Sequence, residues 1–286
     1  MRFQTWRLTH PRRNVRRKAI IKFAHDSGMA QKDIEIEEII KYLGSSPLHH
    51  FSYRFLEKYS PSKYQAFSDP ENGLHYVDHQ GKRLYWQPER KKKRIPKDYA
   101  ELRAEQDEQS PHRYLVPGFE VNSGDIIADI GCAEANFSLD VIEHAKHVYL
   151  FENDERWMKA LHATFEPWKK KVTIVPSMVG EKNKNDMITL DTYFADKEPP
   201  TFLKLDVEGS EGAVLEGARG LITSNKNLKA AVCTYHNQDD EEILSSLLKE
   251  MGLEVSCSHG YMLMYRMDQF DPPYFRRGLI RATKSV

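Results

Sequence analysis

From residue 119 onward, apolar strand-like runs alternate with amphipathic helix-like segments, and this order constrains the fold more than any other feature of the chain. The spacing predicts strands over 125–130, 148–152, 172–176, 201–205 and 230–235. Helices are predicted between and after them, over 135–144, 154–165, 189–195, 211–221 and 240–251. Strands separated by helices require right-handed crossovers and a parallel sheet covered on both faces. The last two runs, 253–258 and 261–265, are joined by His259-Gly260 alone, too little for a helix. They predict an antiparallel hairpin that closes the sheet. Five parallel strands plus a closing hairpin make a Rossmann-like, seven-stranded α/β sheet.

Residues 1–118 follow another pattern and predict an α+β accessory region. Segments 16–24 and 31–43 read as helices, the second with Ile34, Ile36, Ile39, Ile40 and Leu43 close to helical spacing. Residues 74–87 read as a hairpin turning at Gln80-Gly81. His75 and His79 then share a strand face, and with no third ligand apparent they are expected to be surface histidines. The organisation expected is an accessory region at 1–118, a sheet domain at 119–266 and a tail at 267–286.

Composition narrows the class. The 286 residues are 40% apolar and 29% charged, enough for a real core in a water-soluble fold. No apolar run is long enough to span a bilayer, and the basic N-terminus leads into no apolar signal core, so a cytoplasmic protein is expected. Cys132, Cys233 and Cys257 lie far apart, against a disulfide framework or a cysteine zinc cluster. The 42 basic and 42 acidic residues cancel, so no global field favours nucleic acid or membrane. Two local runs are basic: Arg2, Arg7, Arg12, Arg13, Arg16, Arg17 and Lys18, and then Arg90 to Arg94. They are either solvated segments or a dock for an anionic substrate such as an acidic glycan or RNA. Neither run is interleaved with aromatics, which weighs against RNA.

Three strand ends carry the chemistry. The first runs Asp129-Ile130-Gly131-Cys132-Ala133-Glu134-Ala135, and in such sheets ligands sit beyond the carboxyl ends of the strands. A sharp turn there needs small residues, although any tight strand–helix turn looks similar. The second strand ends at Glu152, about 20 residues on, where an acid accepts hydrogen bonds from a ribose diol. The fourth runs Lys204-Leu205-Asp206-Val207-Glu208-Gly209-Ser210-Glu211. If that strand continues, Asp206 and Glu208 share a face over the cleft, while Glu211 caps the next helix. Close carboxylates raise one pKa, the usual arrangement for acid–base work. The fifth strand ends at His236, whose imidazole suits a general base.

The segment LKLDVEGSEGAVLEGA, preceded by ITLDTYF, resembles the FkbM family of class I S-adenosylmethionine-dependent methyltransferases over about residues 119–265. The resemblance implies the seven-stranded class I methyltransferase sheet, S-adenosylmethionine as cofactor, and O-methylation of a carbohydrate, glycan precursor or related small molecule. It places the methionine end of the cofactor at Asp129–Ala135, its ribose at Glu152 and adenine near Ser177, Met178 and Val179. The cofactor-binding set is then Asp129, Gly131, Cys132, Ala133, Glu134, Glu152, Asn153 and Met178. The catalytic set is Asp206, Glu208 and His236, with no metal assigned, though these three are chemically able to bind one. The chain departs from the family at Ala133 and Ala135, where glycines are usual. Asp271-Pro272-Pro273-Tyr274 looks like an amino-methyltransferase signature but follows the expected last strand, and reads as a proline turn in the tail. The alternatives are an RNA methyltransferase using the basic segments, or a scaffold whose alanine-bearing loop holds no cofactor. Nucleic acid is not an expected partner.

Overall fold

The computed structural model describes residues 2–265 and 270–284, and residues 2–11 by their backbone alone. The side chains of Arg2 and Arg7 thus lie outside the described residues. Seven strands form the main sheet: β1 (Ile126–Ile130), β2 (His147–Phe151), β3 (Val172–Val175), β4 (Phe202–Leu205), β5 (Lys229–Cys233), β6 (Leu253–Cys257) and β7 (Leu279–Lys284). Their order is β6-β7-β5-β4-β1-β2-β3. The strands from β3 to β5 run parallel, and β7 lies antiparallel between β5 and β6. This is the class I methyltransferase sheet expected from the strand order.

The closing pair is not the one predicted. Leu253–Cys257 pairs with Leu279–Lys284, while Met262–Leu263 pairs with Phe275–Arg276 in a small separate sheet. A strand inserted between two others needs apolar side chains on both faces, and Leu279, Ile280 and Ala282 are all fully buried. The intervening chain instead packs Leu263, Tyr265 and Phe275 against the first helices. The sheet therefore extends past residue 266, and 267–286 is not a separate tail. The Asp271–Tyr274 turn precedes the last strand rather than following it.

Alternation along each strand covers both faces. Ile127, Leu150 and Phe202 pack with Phe137 and Leu139 on one side. Ala128, Ile130, Leu203, Leu205 and Val232 pack with Val214 and Leu215 on the other. The helix expected over 211–221 breaks at Gly217, where a Cβ would stand 2.0 Å from the Gly180 carbonyl oxygen.

The first part begins with α1 (Arg2–Asp26) and α2 (Ile34–Ser45), then a three-stranded meander (Ala66–Ser68, His75–His79, Lys82–Tyr85) and α3 (Ile95–Glu105). Asp33 caps α2 by accepting from the Glu35 N–H at 2.9 Å, and Ile36, Ile39, Ile40 and Leu43 are buried. Gln80 and Gly81 both have positive φ, as the two-residue hairpin turn requires. His79 is not on the surface. It is 1% exposed, bonded through Nδ1 to the Tyr99 hydroxyl at 3.0 Å and through Nε2 to Asp140 at 2.8 Å. It thus ties the meander to α4 (Asn136–Val141). The basic runs are partly used up in packing. Arg13 and Arg17 donate to the carbonyls of Leu48 and Leu43, Arg16 stacks on Phe270, and Arg90 pairs with Asp98. Arg12, Lys18 and residues 91–94 remain exposed.

Candidate active site

The turn after β1 is shaped by three left-handed residues, Gly131 (φ 72°), Ala133 (φ 46°) and Ala135 (φ 58°). A Cβ on Gly131 would lie 2.0 Å from the Asp206 carbonyl oxygen, so the ends of β1 and β4 meet only because it has none. Left-handed alanine costs about 1–2 kcal/mol each. The turn is held by bonds to β2 and its end. Gly131 and Cys132 donate to the Phe151 carbonyl at 3.0 and 3.2 Å. The Ala133 N–H donates to one Glu152 oxygen at 2.9 Å, and the Asp154 N–H to the other at 2.7 Å. Each Glu152 oxygen keeps a second lone pair.

Asp129 lies in the core, fully buried. It pairs with Lys204 at 3.0 Å and accepts from the Ser138 hydroxyl at 2.8 Å. Lys204 also donates to the Gly131 carbonyl at 2.7 Å. Burial alone would lower the ammonium pKa, but Asp129 and Asp206 outweigh it and raise it.

Three recesses lie among the loops at the carboxyl edge. The largest, about 900 Å³, is lined by Asn153, Pro176, Ser177, Met178 and the 183–188 loop. A second, about 270 Å³, has Glu134 and Trp157 on one side and Trp86, Arg90, Glu101 and Glu105 on the other. A third, about 250 Å³, shares Glu101 and Glu105 and adds Phe51, His112, Glu208 and Tyr235. Asn153, Met178 and Glu134 thus border open space, whereas Cys132 is buried beneath the turn. Burial, with Asp129 and Asp206 nearby, pushes the Glu134 carboxyl up to about 7.

Asp206, Glu208 and His236 do converge, but not as a strand face. β4 ends at Leu205, and Glu208 turns into the left-handed region at φ 56° with its side chain exposed. Asp206 accepts from the hydroxyls of Tyr114 at 3.0 Å and Tyr235 at 2.9 Å. Burial would raise its pKa, but Lys204, His112 and His236 win and hold it at about 2. His236 Nε2 lies 3.6 Å from both Asp206 and Glu208, and Nδ1 lies 3.0 Å from Glu211. Burial works to lower the imidazole pKa; the Glu211, Asp206 and Glu208 carboxylates overcome it and raise it.

Glu211 does not serve mainly as a cap. It is 1% exposed and accepts from the Val207 N–H at 2.9 Å, holding the loop ahead of its own helix as well as the imidazole. Asp206, Glu211 and His236 lie close enough to share a cation, as do His112, Asp206 and Cys233. Glu211, rather than Glu208, thus completes the first set.

Glu105, His112, Tyr114 and Tyr235 are missing from the sequence-derived set. Burial, with Glu134 and Asp206 nearby, puts the Glu105 carboxyl well above its usual range. Burial also brings His112 down to about 4. Three of these residues belong to the first 118, where no motif announces them. Tyr235 precedes a predicted residue, and its position at a strand's carboxyl end was the available signal.

Residues 121–262 match the methyltransferase FkbM domain. Similar solved structures include a methyltransferase FkbM from Methylobacillus flagellatus KT, at 18% identity and TM-score 0.47, over 66% of this chain and 54% of that one. The chain thus spans about half the length of that protein. The precorrin-6y C5,15-methyltransferase of Geobacter metallireducens GS-15 is 13% identical over 58% of this chain and 83% of its own, with TM-score 0.41. An rRNA methylase from Streptococcus thermophilus is 14% identical over 58% and 90%, with TM-score 0.40. No curated protein matches the chain.

Proposed function

From the membership of residues 121–262 in the methyltransferase FkbM family, we propose that the protein transfers a methyl group from S-adenosylmethionine to a hydroxyl of a carbohydrate, glycan precursor or related small molecule. The observation that carries this reading is the buried Glu211–His236 contact, whose far nitrogen is directed at Asp206 and Glu208 beside the 250 Å³ recess.

The residues suit the cofactor. Glu152 has lone pairs to accept from a ribose diol, and Asn153 and Met178 line a recess able to take a purine. Glu134 offers a carboxyl to an ammonium group. The bound cofactor supplies the electrophilic methyl, which leaves the protein to position the acceptor and take its proton. Asp206, at about 2, is too weak a base for a hydroxyl proton. It orients Tyr114 and Tyr235 instead. Glu208 receives the acceptor hydroxyl at the recess, and His236 Nε2 takes its proton. Glu211 stabilises the resulting imidazolium from Nδ1. The accessory region, by lending Phe51, Glu101, Glu105 and His112 to the recess, acts as the substrate cap.

An acceptor screen with methyl-labelled S-adenosylmethionine tests the reading. Label should appear on a sugar or small-molecule hydroxyl; label on RNA alone would replace this function with the RNA alternative.

A further inference from the structure

The 250 Å³ recess beside Tyr235 has a composition suited to one sign of charge. Glu101, Glu105 and Glu208 line it together with His49, His50, His112, two methionines and the aromatic Phe51 and Tyr235. Among the described residues, its lining contains no lysine or arginine. The Glu105 carboxyl group has no hydrogen-bond or ion-pair partner among the described residues, and Glu101 meets only Lys97, at 3.6 Å. His112, one of the lining residues, is 3% exposed, and its buried Nδ1 has no hydrogen-bond partner among the described residues.

Burial and the neighbouring Glu134 and Asp206 hold the Glu105 carboxyl toward its neutral form, and an ammonium entering beside it favours the ionised one. Aromatic faces and polarizable sulfur beside the acids suit an ammonium group. A phosphate or carboxylate brought to the same walls meets repulsion from Glu101, Glu105 and Glu208. We propose that the acceptor is a cationic, amine-bearing hydroxyl compound, such as an amino sugar, whose ammonium is held by Glu101 and Glu105 while its hydroxyl reaches Glu208 and Tyr235. The inference rests on the methyl-transfer reading for the role of the hydroxyl, but the charge preference of the recess stands apart from it.

Ligand-observed NMR titrations of the full chain with methyl glucosaminide, methyl glucoside and glucose 6-phosphate test it, each run with and without S-adenosylhomocysteine. The ammonium sugar should bind about tenfold more tightly than the neutral one, the gain expected of one charge-assisted bond. That preference should shrink as salt rises, and the phosphate should bind worst. In Glu105→Gln the preference should fall toward one with methyl glucoside affinity retained. Glu101→Gln, at a half-buried position, should reduce it in part and serves if the first variant does not fold. Equal binding of the two sugars, tighter binding of the phosphate, no binding of any probe, or a preference that survives both substitutions overturns the proposal. Absence of S-adenosylhomocysteine binding would count against the methyltransferase reading instead, with the amine preference still decided by the runs without it.

Discussion

Glu211 Oε1 lies 3.0 Å from His236 Nδ1, with both side chains almost wholly buried. A carboxylate in that position fixes the ring orientation and favours the proton on Nδ1, leaving Nε2 toward Asp206 and Glu208. It also favours the charged ring, which burial opposes, and the net effect is a raised pKa.

The pH dependence of turnover follows. A base must be unprotonated, so the rate should rise with pH through a limb above the ordinary histidine value of about 6.5. Glu211→Gln should move that limb down, and His236→Gln should abolish it while cutting turnover about 10²–10⁴-fold. A limb unmoved in Glu211→Gln would remove Glu211 from this role.

The same contact has a stability sign. Because the folded pKa of His236 is raised, its contribution is fully present below about pH 6.5 and is lost as pH rises through the folded value. Denaturation midpoints of wild type and His236→Gln should therefore diverge most on the acid side and converge above the raised value.

Much of this geometry was legible in the sequence, and the exceptions share causes. Strand ends are readable because β2 and β4 are apolar runs that stop just before Glu152 and Asp206, while β1 carries Asp129 within it and β5 stops three residues short of His236. The partner of β6 is not legible in the sequence because strand pairing is a long-range choice. Adjacent runs at 253–258 and 261–265 look like a hairpin, while the true partner follows an excursion that packs on α1 and α2. His79 looked superficial because its partners, Tyr99 and Asp140, are distant in sequence. Glu211 fitted a cap by position; only the fold reveals the imidazole beside it.

Lys204 offers a test of the core beneath the site. It sits between Asp129 and Asp206, nearly buried, and Lys204→Met would strand the Asp129 carboxylate. The loss should be about 3–5 kcal/mol by chemical denaturation. Pairing it with Asp129→Asn should recover part of that loss. A single variant as stable as wild type would mean that water, not Lys204, compensates Asp129.

The alanines of the turn predict a gain. Ala133→Gly and Ala135→Gly each relieve left-handed strain of about 1–2 kcal/mol, against an unfolded-state entropy cost of about 0.4–1 kcal/mol. Each variant should be equal to or slightly more stable than wild type in thermal unfolding. Clear destabilisation would show that the alanine methyls contribute packing that outweighs their strain.

Calorimetric titration of S-adenosylmethionine into wild type and Glu152→Ala tests the central claim most directly. Wild type should give a saturable heat. The variant should bind more weakly by about 2–3 kcal/mol, the range for hydrogen bonds to a charged group, because Glu152 both offers lone pairs to the ribose and clamps the turn through Ala133. No heat with wild type at millimolar cofactor would contradict the methyltransferase account, and an unchanged affinity in Glu152→Ala would contradict the placement of the cofactor at this strand end.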